Sequence, residues 1–225
     1  MEPIVRHRWD LSETEAIHTQ QTLSKNVITE DQFTSINYIA GVDVAYSKQD
    51  DVLIAAIVIL DAHSLSVVES VAVEDTVYFP YIPGLFSFRE LPPIIKAFQQ
   101  VTIPPDLIVC DGQGIAHPRR FGLASHLGVL FDIPTIGCGK TRLLGEYTEP
   151  DQKRGAVSPL IDKGEVIGGV LRTQANTKPI YVSIGHRIGL QTACEWIVKL
   201  SPKYRLPETT RFADQLVNKT IRQLG

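Results

Sequence analysis

The chain has 225 residues, 44% of them hydrophobic and 21% charged, with a formal net charge of −3. These values describe an ordinary soluble globular protein, long enough to bury a sizeable core within one domain. No apolar run reaches membrane-spanning length and no signal-peptide stretch opens the sequence, so membrane and secreted classes are excluded and a cytoplasmic chain is expected.

Leu11 to Ile28 predicts an amphipathic helix, with Ser12 as N-cap and Glu15 in capping-box spacing. It is expected to form an N-terminal helical extension, about residues 1–37, of a single domain spanning residues 1–225. Ile39 to Tyr46, Val52 to Leu60 and Leu65 to Val73 then read as three strands, with turns at Ser47 to Asp51 and Asp61 to Ser64. Consecutive strand patterns separated by short turns predict an antiparallel meander. Asp43 is embedded in the first of these runs with apolar residues on both sides, where an unpaired charge is costly. That setting favours metal or catalytic duty over an acid that merely meets solvent.

The Pro-rich segment Phe79-Pro80-Tyr81-Ile82-Pro83-Gly84 holds Tyr81 on a stiff loop, its aromatic face suited to stacking on a base. A helix follows from Phe86 to Gln100, with an early interruption expected at Pro92 and Pro93. Leu107 to Cys110 is a short apolar strand that delivers Asp111 to the sheet edge. A glycine turn, His117, Arg119 and Arg120 come next. An ordinary strand ending in Asp-Gly looks the same, but an acid able to hold a metal beside two arginines suggests phosphodiester chemistry. The turn at Gly112 to Gly114 is expected to offer backbone N–H groups to a displaced base.

Arg119 to Phe131 predicts a helix and Ile133 to Cys138 a strand, after which Lys140 stands at a further helix start suited to phosphate. Gly145 to Lys163 reads as loop. Val166 to Leu171 and Ile180 to Ile184 are strands, and Leu190 to Leu200 and Thr210 to Gln223 are helices. A meander followed by alternating helices and strands is a mixed α/β sheet flanked by helices. Cys110, Cys138 and Cys194 are widely spaced and odd in number, so buried thiols are expected, not bridges or a zinc site.

The charge is unevenly spread. Up to Asp75 the chain has 13 acids against 4 Lys or Arg, and from Thr76 onward 12 acids against 18. Between Gly112 and Gly145 the only acid is Asp132. A locally positive face of this kind can bind phosphates within a mildly acidic protein. Asp43, Glu90, Asp111 and Asp214 lie on separate elements, the supply of oxygen ligands a two-metal phosphoryl site needs. By itself Glu90 reads as a solvated helix residue, and spacing alone does not bring the four together.

Gly41-Val42-Asp43-Val44, Pro80-Tyr81-Ile82-Pro83-Gly84-Leu85-Phe86-Ser87-Phe88-Arg89-Glu90, and the run from Asp111 to His126 together resemble the endonuclease V family. So do Ile133-Pro134-Thr135-Ile136-Gly137 with Lys140, and Ser183-Ile184-Gly185-His186-Arg187. The resemblance runs from about Ile39 to Asp214, while the stretch before Asn37 matches nothing in it. It implies an RNase H-like fold and a Mg²⁺-dependent repair endonuclease, with Mn²⁺ able to substitute. Such an enzyme recognises deoxyinosine and other deaminated bases in DNA. It nicks the second phosphodiester bond 3′ to the lesion, leaving 3′-OH and 5′-phosphate.

Residue by residue, the resemblance assigns Asp43, Glu90 and Asp111 to the metal site, with Asp214 as a fourth member. His117 and Lys140 match polar residues beside the scissile phosphate. Tyr81, in a loop shared with Pro80, Ile82, Gly84 and Arg89, matches a wedge that fills the gap left by the displaced base. Gly112 and Leu123 line the inosine pocket, Arg119 and Arg120 offer donors to phosphate, and His186 is phosphate-proximal or structural. A monomer is expected. The alternatives are an inosine-specific ribonuclease acting on RNA, and a non-catalytic binder of damaged nucleic acid, against which the set of acids argues.

Overall fold

Alternation of apolar residues along adjacent strands decides which layer covers each face of the sheet. In the computed structural model, which describes residues 1–47 and 51–223, β1 (Tyr38–Tyr46), β2 (Val52–Asp61) and β3 (Val67–Thr76) form the expected antiparallel meander. Most of the expected turn at Ser47 to Asp51 lies outside the described residues. Five more strands follow: β4 (Leu107–Cys110), β5 (Thr135–Gly139), β6 (Val157–Asp162), β7 (Glu165–Leu171) and β8 (Ile180–His186). All eight join one sheet in the order β3-β2-β1-β4-β5-β8-β7-β6, with β1, β4 and β5 parallel.

Ala40, Val42, Ile108 and Cys110 point to one face, where they meet α2 (Phe86–Gln100) and α3 (Leu123–Phe131). Ile39, Leu107 and Val109 point to the other, in a core shared with Ala193 and Ile197 of α4 (Leu190–Leu200). On that same side α5 (Glu208–Arg222) packs Ala213 and Val217 against β2. Gly41 sets how close α5 can come: a Cβ there would lie 2.2 Å from the carbonyl oxygen of Thr209.

Three expectations need correction. β6 lies inside the stretch read as loop; it is an edge strand with Leu160 as its one buried residue, and Pro159 is tolerated because an edge leaves one side unpaired. The second helix continues through Pro92 and Pro93, since Leu91, Ile94, Ala97 and Phe98 bury a full apolar face against the sheet. The third starts at Leu123, not Arg119, because Arg120 takes a left-handed conformation (φ 53°) that ends a tight turn.

The first helix, α1, covers Glu13–Leu23, with both capping-box bonds formed between Ser12 and Glu15. It ends in a short 3₁₀ turn, Ser24–Asn26. Cys110, Cys138 and Cys194 are free and buried, as expected. Among the described residues, no helix is long and apolar enough to cross a membrane.

Candidate active site

Parallel pairing of β1 with β4 reaches Val42 opposite Cys110. One residue further on stand Asp43, inside β1, and Asp111, just past the carboxyl end of β4. Burial, then the charge of Asp111, pushes the Asp43 carboxyl up to about 7. Two neighbouring carboxylates in a partly dry site resist ionising together.

Glu90 reaches the same end from α2. It is 5% exposed, so the solvated helix residue expected from spacing alone is in fact deeply covered. Its carboxyl lies well above the usual range, chiefly from burial, with the charges of Asp43 and Asp111 adding to the effect. Tyr46, closing β1, donates its hydroxyl to Glu90 Oε1 at 2.9 Å. Arg89 stacks on the Tyr46 ring at 4.8 Å and donates to the Phe79 carbonyl at 2.9 Å, tying α2 to the base of the Pro-rich loop.

Lys140, just past β5 and in irregular chain where a helix start was expected, places Nζ 2.5 Å from Asp111 Oδ2. Burial works against its charge, but the bond to Asp111 and the fields of Asp111, Asp43 and Asp214 outweigh it and raise its pKa. Asp214 sits on α5, brought near by the close approach at Gly41, and its charge bears on Asp43. The acids therefore share one electrostatic site fed by the sheet, α2 and α5.

Among the described residues no three His, Cys, Asp or Glu side chains converge tightly enough to hold a metal ion as they stand. The reason is visible in their partners: Glu90 turns to Tyr46, and Asp111 to Lys140. The donor chemistry nonetheless suits a hard divalent cation. The cluster offers carboxylate oxygens, and two of its acids are held above their ordinary pKa, chiefly by burial and then by the charge of neighbouring acids, a cost that a cation's charge would offset.

The remaining expected residues fall into two groups. Tyr81 is 70% exposed at the tip of its loop, and Pro80 is exposed beside it. Ile82 is half-buried, and Gly84 sits at the loop's tail with φ 80°. Leu123 is buried and touches the position a Gly112 side chain would take, at 3.4 Å.

The second group is committed within the protein. His117 is buried, its Nε2 on the Gly84 carbonyl at 3.0 Å and its Nδ1 accepting from the Arg119 N–H at 3.2 Å. Burial, then the nearby Arg119 charge, pushes it down to about 4, so it is neutral at pH 7. Its ring is thus packed inward, not extended and reachable. Arg119 donates to Gln20 and to the Gly84 carbonyl, and Arg120 to Asp162 and Glu165. His186 is buried between the Ile28 N–H and Asp132. The N–H groups of Gly112 and Gly114 are bonded to the Cys110 carbonyl and to Ser183 Oγ, so the turn does not hold these two ready for a ligand.

Sequence reading passed over Tyr46 and Gln20. Tyr46 had a signal, since it closes the same apolar strand as Asp43. Gln20 had none, because its partners lie 64 and more residues away.

The family model for endonuclease V matches residues 21–215, so the likeness begins within α1 and not at β1. The endonuclease V of Rippkaea orientalis is 54% identical over 204 residues, covering 91% of this chain and 89% of the relative. The crystal structure of endonuclease V from Streptomyces avermitilis superposes with a TM-score of 0.93 at 45% identity, covering 98% of this chain and 97% of that one. That of Ciona intestinalis endonuclease V, in complex with a 24mer DNA containing an inosine followed by a ribo-adenosine, gives 0.84 at 26% identity over 94% and 98% of the two chains. The architecture is the RNase H-like mixed sheet anticipated from the motifs.

Proposed function

The chain belongs to the endonuclease V family and is a nuclease acting on phosphodiester bonds, and on that footing we propose that it is a divalent-metal-dependent DNA repair endonuclease directed to deoxyinosine. It nicks the second phosphodiester bond 3′ to the lesion, leaving 3′-OH and 5′-phosphate. The observation that carries this reading is the pair Asp43 and Asp111, two acids side by side where the parallel pairing of β1 with β4 ends, with Glu90 and Lys140 in their field. A non-catalytic binder has no use for buried acids that repel phosphate.

Asp43, Glu90 and Asp111, joined by Asp214, would hold Mg²⁺, or Mn²⁺ in its place. When bound, such a cation supplies a water nucleophile of lowered pKa and stabilises the leaving oxygen. The protein's own residues do the rest. Lys140 keeps an ammonium at the acids' edge, where it neutralises the phosphate's approach to four carboxylates. Tyr46 holds one oxygen of Glu90 and leaves the other available. Tyr81 stacks in the gap left when the inosine swings out toward Gly112 and Leu123.

Matched DNA and RNA oligonucleotides carrying one inosine test the substrate class. Cleavage of the DNA strand at the second bond 3′ to inosine, lost in Asp111→Asn with binding retained, is the expected outcome. Cleavage confined to RNA, or dependent on a 2′-OH at the cut, would instead favour the ribonuclease. The Ciona intestinalis relative, solved on DNA with an inosine followed by a ribo-adenosine, keeps that second reading open to test.

A further inference from the structure

The Gly84 carbonyl oxygen accepts from three donors at once: Gln20 Nε2 at 3.0 Å, His117 Nε2 at 3.0 Å and Arg119 NH2 at 2.7 Å. Gln20 is 1% exposed, and its amide is fully engaged. Its nitrogen also donates to the Phe121 carbonyl at 3.2 Å, and its oxygen accepts from Arg119 Nε at 2.5 Å. One buried amide on α1 therefore joins the Pro-rich loop, the residue just after the 117–120 turn and the Arg119 side chain.

The loop end it grips is well defined. Ile82 to Leu85 forms a β-turn, the Leu85 N–H donating to the Ile82 carbonyl at 2.9 Å, with Pro83 and then Gly84 at the two central positions. Gly84 has φ 80°, which a type II turn requires at its third residue. A side chain there would also meet Arg119 NH2 at 2.7 Å. Beneath the turn, Ala16 of α1 packs with Phe79, Leu85 and Phe88, and Ile17 and Ile82 pack against them. At its other end the loop is tied by Arg89 on the Phe79 carbonyl. The tip, Tyr81, is exposed between two fixed ends.

We propose that Gln20 is a positioning residue that locks the Pro80–Gly84 loop through the Gly84 carbonyl, making α1 a working part of duplex opening. This rests on the reading of Tyr81 as the wedge. The same clamp explains why His117 and Arg119 are turned inward. Both serve the loop's posture by the bonds just described. A wedge returns stacking energy only if its ring is already aimed when the base leaves, so a loose loop costs the enzyme most on a paired substrate.

The test uses the full chain with Gln20→Ala and the isosteric Gln20→Glu, which can still accept from Arg119 but cannot donate to either carbonyl. Amide hydrogen exchange over residues 79–88 is measured beside cleavage of inosine in duplex and in single-stranded DNA. Expected is exchange at Leu85 and Phe88 faster by roughly tenfold or more, the change that follows loss of a buried hydrogen bond. KM on duplex should rise by about the same factor, with kcat and single-strand cleavage within about twofold. Unchanged exchange together with an unchanged duplex-to-single-strand ratio overturns the proposal, as does an equal loss on both substrates with normal exchange. If exchange rises but neither Gln20→Ala nor Tyr81→Ala alters that ratio, the clamp stands and the wedge reading fails. Should Gln20→Ala not fold, Gln20→Glu, which keeps the volume, carries the same comparison.

Discussion

Asp43 and Asp111 stand one residue beyond the last paired position of β1 and β4, Val42 opposite Cys110, so the register of two parallel strands sets two carboxylates abreast. Burial, with the charge of Asp111 added, leaves Asp43 reluctant to ionise, its pKa up to about 7. The sheet is built against this electrostatic cost by the apolar residues beneath it, and a bound divalent cation would relieve it.

Stability without metal should therefore fall as pH rises. In the folded chain Asp43 holds its proton to about 7, whereas unfolded it releases it near 3.8. The folded state binds more protons in that window, so stability declines from about pH 4 to pH 7. Asp43→Asn should be more stable than the parent at pH 8 in EDTA by of order 2–4 kcal/mol, and indistinguishable from it at pH 4. Urea unfolding across that range measures the difference. No stabilisation at pH 8 would mean that the folded site does not hold the Asp43 proton.

His117 acts in the opposite direction. Its folded pKa of about 4 lies below the unfolded value of 6.5, so the unfolded chain binds more protons between them. Stability is then lost as pH falls from 6.5 to 4, by of order 2–3 kcal/mol. His117→Gln, which retains a donor for Gly84, should flatten this acid limb. An unaltered limb would show that His117 is protonated at little cost.

On the proposed reading, Lys140 would compete with a metal for Asp111. Lys140→Met should lower the maximal cleavage rate by roughly 10²–10³-fold, the range seen when one charge-stabilising donor is removed. The Mg²⁺ concentration giving half-maximal rate should fall at the same time, because Asp111 is freed. Titrating Mg²⁺ against initial rate separates the two effects. A rise in the half-maximal concentration would contradict competition.

On the proposed reading, Tyr81 works through its ring. Flipping a base costs a few kcal/mol, and an inserted aromatic returns about 1–3 kcal/mol by stacking. Tyr81→Ala should thus weaken cleavage of inosine in duplex DNA by roughly 5–100-fold, with a smaller loss on single strands. Tyr81→Phe should keep most activity. Equal losses on both substrates would place Tyr81 in phosphate positioning.

Much of the fold was legible because its strands are short apolar runs closed by turn residues, as from Tyr38 to Val73. Asp43 and Asp111 stood out for the same reason, as acids ending or interrupting such runs. What stayed hidden depends on distant partners. β6 offers one buried residue, Leu160, beside a proline, too little pattern to distinguish from loop. Arg119 and Arg120 read as phosphate donors, yet their bonds go to Gln20, Gly84, Asp162 and Glu165, 35 to 99 residues away. Gln20 itself lies in a helix of weak amphipathicity, where a polar residue gives no sign that it is buried.

Incubating the protein with a 5′-labelled duplex that carries a single deoxyinosine, once with Mg²⁺ and once with EDTA, is the most direct measurement. The expected result is one nick, at the second phosphodiester bond 3′ to the inosine, formed with Mg²⁺ and absent with EDTA or when adenine replaces inosine. A nick that persists in EDTA, or that falls without regard to the inosine, would contradict a metal-dependent site built on Asp43, Glu90 and Asp111.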